Sequence, residues 1–111
     1  MFKVIESSVF SGWLGALNDD RARARILARI ARLAAGNAGD VKSVGHGISE
    51  MRIDYGPGYR VYFSQRGMVA VLLLVGGDKR TQDRDIKKAR EVLLASTTAL
   101  ETHHGKKGTR D

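Results

Sequence analysis

No cysteine occurs among the 111 residues, which excludes disulfide staples and cysteine-type zinc sites and fits a reducing compartment. Proline occurs once, at Pro57. No long hydrophobic run exists: the longest, Met68 to Val75, falls far short of the roughly 20 residues that span a bilayer. The opening MFKVIESSVF lacks a basic start followed by an extended apolar core, so no secretory leader is expected. A soluble, cytoplasmic protein with no membrane partner is the expectation. Acidic residues are scarce too, 12 against 19 lysines and arginines, leaving a net charge of +7 and a pI near 10.1. That excess raises the prior for an anionic partner, whether nucleic acid or an acidic protein, without choosing between them. The length suits one domain with a single core.

The pattern along the chain is α+β. Phe2 to Ile5 reads as a short edge strand. Ser7, Ser8 and Ser11 offer caps for a short helix carrying Val9, Phe10, Trp13, Leu14 and Leu17. Asn18-Asp19-Asp20 ends it and caps a second helix, about Arg21 to Ala35, which stops at Gly36-Asn37. Helical spacing puts Ile26, Leu27, Ile30, Leu33 and Ala34 on an inner stripe and Arg21, Arg25, Arg29 and Arg32 on the outer face. Four arginines without an interleaved acid repel one another unless an anion is near, so the row is a candidate surface for RNA or an acidic protein as well as a solvated face. Val41 to Val44 leads through Gly45-His46-Gly47 into a hairpin. Met68 to Val75 reads as a central strand, Gly76 to Arg80 as a flexible basic loop, and Thr81 or Asp83 as the cap of a last helix through about Ser96 with Ile86, Ala89, Val92 and Leu93 inward. Residues 1–96 form the expected domain; the polar stretch 97–111 reads as a disordered basic tail. The order of elements predicts a mostly antiparallel sheet of four to five strands, two N-terminal helices on one face and the terminal helix beside it.

The hairpin, GISEMRIDYGPGYRVYF, is the most informative segment. Alternation sets Ser49, Met51, Ile53 and Tyr55 on one face and Glu50, Arg52 and Asp54 on the other. With Tyr55 opposite Tyr59 across Gly56-Pro57-Gly58, Asp54 faces Arg60 and Arg52 faces Tyr62. The polar face then carries two guanidiniums, a carboxylate and a phenol, a set that suits phosphate because guanidinium forks match its oxygens. A solvated sheet face with pairing charges explains the same pattern without any ligand.

Metal chemistry has little support. His46 lies between glycines, His103 and His104 lie in the tail, and none has a second ligand at helical spacing, so neither metal nor cofactor is expected. No nucleophile elbow or P-loop is present. RNA cleavage through the 2′-hydroxyl needs no metal: it needs a base, cations around the developing phosphorane and a proton donor. Arg52, Arg60, Lys79 and Arg80 are candidate cations; Tyr62, Lys79, Asp54 and His46 are the open candidates for base and acid.

The hairpin YGPGYRVYF and the following LLLVGGDKRTQDRDIKKARE resemble toxins of type II toxin–antitoxin modules, in the RelE/ParE superfamily and its HigB-like branch of addiction-module killer proteins. The resemblance covers roughly residues 1–95. It implies a RelE-like α+β toxin, inhibited by a cognate antitoxin of helix-turn-helix type, that cuts mRNA on the ribosome as an endoribonuclease and so blocks translation. Carried over by position, the catalytic residues fall on Arg52, Arg60 and Lys79, with Gln82 holding the loop. RelE-type nucleases often keep a tyrosine or histidine after the last core strand, where this chain has a lysine-rich helix. Two alternatives follow: a ParE-like toxin that inhibits DNA gyrase without cleaving anything, and a degenerate toxin that retains only antitoxin binding.

Overall fold

The computed structural model describes residues 1–96 with their side chains and follows the backbone to Arg110. The chain runs β1 (Lys3–Glu6), α1 (Ser8–Ala16), α2 (Asp20–Ala34), β2 (Val41–Gly45), β3 (Ile48–Ile53), β4 (Tyr59–Arg66), β5 (Ala70–Asp78), a 3-10 turn (Lys79–Thr81) and α3 (Gln82–Arg110). The expected tail over 97–111, with His103 and His104, lies outside the residues described by side chain. The five strands form one sheet in the order β1-β5-β4-β3-β2. Only β1 pairs in parallel, with β5, so the sheet is mostly antiparallel and the protein α+β as expected.

The caps follow from local chemistry. Ser7 accepts a hydrogen bond from the Phe10 amide at 2.9 Å, and its hydroxyl donates to the Leu74 carbonyl at 2.6 Å, so the cap of α1 also fastens that helix to β5. Asp19 caps α2 by accepting from the amides of Arg21 and Ala22. Along α2 the buried positions are Ala22, Ile26, Ile30 and Leu33, whereas Leu27 is about half exposed. Leu27 therefore leaves the expected inner stripe, because the sheet covers a narrower arc than the apolar pattern offers.

The sheet is covered on both faces. Phe10, Leu14, Ile26, Ile30 and Leu33 pack on Met51, Ile53, Val61, Phe63, Val71 and Leu73. The alternate residues Ile48, Tyr62, Leu72, Leu74 and Val75 pack with Ala89 of α3, supported by Ile86, Val92 and Leu93. The terminal helix, expected beside the sheet, covers the face opposite α1 and α2, and the face expected to be solvated is dry along much of its length. Glu50, expected on the open face, is wholly buried.

Two further expectations are corrected. The Gly76-Gly77 pair is strand, not flexible loop: β5 runs to Asp78 and both glycines are buried. A Cβ on Gly76 would meet the Trp13 ring at 2.0 Å and one on Gly77 the Asp85 carboxylate at 1.8 Å, so both are glycine because helices press against the strand there. At its other end β5 begins at Ala70, leaving Met68 and Val69 exposed. The hairpin register also differs. Ile53 pairs with Tyr59 and Arg52 with Arg60, so the loop spans Asp54 to Gly58 rather than Gly56 to Gly58 alone. Internal hydrogen bonds from Tyr55 to Ile53 and from Gly58 to Tyr55 close it, with Gly56 and Gly58 at positive φ. The slide preserves strand parity, so each residue keeps its predicted face while its partner changes.

Candidate functional site

The carbonyl of Gly58 joins the two segments expected to form a site. It accepts a hydrogen bond from the Lys79 amide at 2.9 Å and another from Arg60 Nη1 at 3.1 Å. The start of the 3-10 turn is thereby held against the hairpin loop. Asp78 caps that turn by accepting from the Arg80 amide and pairs with the Arg80 guanidinium at 3.1 Å. This cap belongs to the 3-10 turn; α3 itself begins at Gln82, directly after Thr81. The side-chain hydrogen bond from Arg80 holds the Asp78 carboxyl below its usual range despite an opposing contribution from burial. Thr81 donates to the buried Asp85, which anchors the turn to the first residues of α3.

Around this junction lies a cleft of about 480 Å³ lined by Arg52, Arg60, Lys79, Asp40, Asp54 and the Gly56-Pro57-Gly58 loop. The three expected cations therefore converge. Their surroundings differ. Arg52 is 40% exposed and donates from Nη2 and Nε to one oxygen of Asp40, at 2.8 and 3.2 Å. Arg60 is only 11% exposed; Nη1 reaches the Gly58 and Tyr59 carbonyls, and Nε lies 3.9 Å from the buried Glu50. Lys79 is exposed and forms no side-chain ion pair among the described residues. Asp54 lines the same cleft, exposed, and does not neutralise Arg60 as the expected register required.

The remaining candidates separate. Tyr62 is fully buried, its hydroxyl donating to Glu50 at 2.9 Å; burial first, and that bond second, push its pKa far above the usual phenol value. It is a structural donor and no part of the cleft surface. His46 sits in the β2–β3 turn with φ of 57°, at the end of β3 remote from Arg52, beside Ile48, Arg90, Leu93 and Leu94. Arg80 is held by Asp78 and does not line the cleft. Gln82, outside the cleft lining, donates to the buried Glu50 at 2.8 Å. Two carboxylates escaped the sequence reading: Asp40, in the bend just before β2, and Glu50, whose parity was legible but whose burial was not. Among the described residues no cluster of histidine, aspartate and glutamate is arranged to hold a metal ion.

The arginine row of α2 is not uniform. Arg29 is half-buried and structural, donating to the carbonyls of Arg52 at 2.7 Å and Ala38 at 3.1 Å. Arg25 stacks over the Tyr55 ring at 4.6 Å. Arg21 and Arg32 are exposed. Thus the mutual repulsion anticipated for four unpartnered arginines is relieved at two of them by the protein itself. Arg25, Arg29 and Arg32 line a second groove of about 340 Å³ with Ile53 and Asp54, and Asp54 is common to both.

Fold and cleft together define a small α+β protein that presents arginine and lysine side chains at a β-hairpin. Residues 12–95 match the family described as "Phage derived protein Gp49-like (DUF891)". A protein of Haemophilus influenzae described as uncharacterized is 56% identical over 91 residues, which cover 82% of this chain and 90% of that protein. No solved structure matches this chain. The chain belongs to the Gp49-like phage-derived family, a RelE-like, toxin-type family of toxin–antitoxin systems. Membership implies a cognate antitoxin as partner. No helix among the described residues is long and apolar enough to cross a membrane.

Proposed function

We propose that this protein is the toxin of a type II toxin–antitoxin pair, of the HigB-like branch, and acts in the cytoplasm as a ribosome-dependent, metal-independent mRNA endoribonuclease. The observation that carries this reading is the convergence of Arg52, Arg60 and Lys79 on one cleft. Cleavage there proceeds by attack of a ribose 2′-oxygen on the adjacent phosphorus, breaking the bond to the 5′-oxygen and leaving a 2′,3′-cyclic phosphate and a 5′-hydroxyl. Asp54 supports the role of base that takes the 2′-proton, and Lys79 that of donor to the departing 5′-oxygen. Arg52 and Arg60 bear the charge that grows on the phosphoryl oxygens. The exposed Arg52–Asp40 pair is weak enough for a phosphate to displace the carboxylate.

That same pair supports a second reading. A cleft whose two arginines already face carboxylates suits a ParE-like toxin that grips a protein target such as DNA gyrase. Pulsed expression without antitoxin separates the two. New mRNA ends with 5′-hydroxyls, together with early arrest of translation, are expected. Chromosome breaks with intact mRNA would establish the gyrase reading, and unimpaired growth at verified expression would mark a degenerate toxin.

A further inference from the structure

Glu50 has no exposed surface, and the cleavage scheme gives it no part. Its two oxygens are treated differently. Oε2 accepts from the Tyr62 hydroxyl at 2.9 Å and from Gln82 Nε2 at 2.8 Å. Oε1 has no hydrogen-bond partner among the described residues, and neither does the buried Arg60 Nε that lies 3.9 Å from it. An unpaired acceptor and an unpaired donor, both buried and almost in reach, are costly apart and need only a small rotation of Arg60 to meet. Arg60 meanwhile spends Nη1 on the loop carbonyls of Gly58 and Tyr59. The guanidinium is thus seated between two anchors, the hairpin loop above and a buried carboxylate below. Gln82 immediately follows the Lys79–Thr81 turn, so the same carboxylate also ties down the segment that carries Lys79.

We propose that Glu50 is the positioning residue of the cleft: its buried carboxylate seats the Arg60 guanidinium and, through Gln82, the Lys79 turn, so that a phosphodiester meets cations already aligned. The identity of the anion rests on the RNA reading above; the seating does not. A carboxylate placed under the site supplies orientation from below while leaving the outer edge of Arg60 to the ligand. Lost reorganisation is what such preorganisation saves.

Glu50→Gln keeps the shape and an acceptor for Tyr62 and Gln82 but removes the charge facing Arg60. In the full chain the Arg60 Nε–Hε signal, followed by nitrogen-15 NMR relaxation, is expected to be ordered in the parent and mobile in the variant. Affinity for purified ribosomes loaded with a short mRNA made uncleavable by 2′-deoxy nucleotides is expected to fall about tenfold. Adding Glu50→Gln to Arg60→Ala is expected to cause little further loss, since the two act as one unit. An Arg60 signal that stays ordered in Glu50→Gln, or losses that simply add, would overturn the proposal. A parent protein that does not bind these mRNA-loaded ribosomes would overturn the RNA reading alone, because the Arg60 signal still decides the seating. If Glu50→Gln does not fold, Gln82→Ala serves: it removes one donor from Glu50 without touching Arg60. The Arg60 signal should then shift and lose order, and an unchanged signal would overturn the proposal.

Discussion

Arg52 and Arg60 stand directly opposite one another on β3 and β4, two guanidiniums in one cross-strand pair. Like charges so placed oppose the pairing of their strands. Each is compensated by a different carboxylate, Arg52 by Asp40 at the surface and Arg60 by Glu50 in the buried part of the same sheet face. Two cations are thereby held side by side without a bound anion.

That asymmetry separates their substitutions. Arg52→Ala removes an exposed pair and is expected to change stability by no more than about 1 kcal/mol while cutting RNA cleavage roughly 10²–10³-fold. Arg60→Ala should lose activity as severely and also destabilise by about 3 kcal/mol or more, because it strands a buried carboxylate. Arg60→Lys should restore little, since an ammonium lacks the fork. Denaturant unfolding beside cleavage on purified ribosomes checks both. Equal stability of the two alanine variants would contradict the burial of Arg60, and full activity in either would remove it from the site.

Gly76→Ala and Gly77→Ala are expected to destabilise by about 1–3 kcal/mol or more through overpacking against Trp13 and Asp85. Phe63→Ala, in the core, should cost about 3–5 kcal/mol. Urea unfolding measures all three. A neutral Gly77→Ala would show that Asp85 and the turn above it move freely.

For antitoxin binding, charge reversal at Arg25 and Arg32 together is expected to weaken the complex and flatten its salt dependence, as both reach the groove beside Asp54. Arg29→Ala should instead lower the melting temperature, because Arg29 holds the carbonyls of Arg52 and Ala38. Titration calorimetry at two ionic strengths tests the first expectation. Unchanged affinity at low salt would make the row a solvated face.

Alkaline pH probes Tyr62. Its folded pKa is raised, chiefly by burial, so the neutral phenol is the form that the fold favours. The stability this confers is complete below the unfolded pKa of about 10 and is lost as pH rises beyond it. Melting temperature should therefore fall above about pH 10 less steeply in Tyr62→Phe than in the parent. Matching alkaline slopes would refute the assignment.

What the sequence by itself determined is what the backbone dictates over a few residues. Ser7 and Asp19 were legible as caps because a short oxygen before an apolar stripe has few other uses. Alternation assigned Arg52, Glu50 and Arg60 to one side of the hairpin, and parity survives any even slide of register. Hence the three cations of the cleft could be named before their partners. Only the tertiary structure decided coverage and pairing. The docking of α3 made one end of the polar face an interior, burying Glu50 and Tyr62 while leaving Arg52 in water. The loop from Asp54 to Gly58 set Arg52 rather than Asp54 opposite Arg60, and Arg52 pairs with Asp40. Packing of α1 on Gly76 and of α3 on Gly77 made strand of what looked like a flexible loop. Parity is a property of neighbouring residues, whereas burial and register depend on contacts between segments far apart in the chain, which no local pattern encodes.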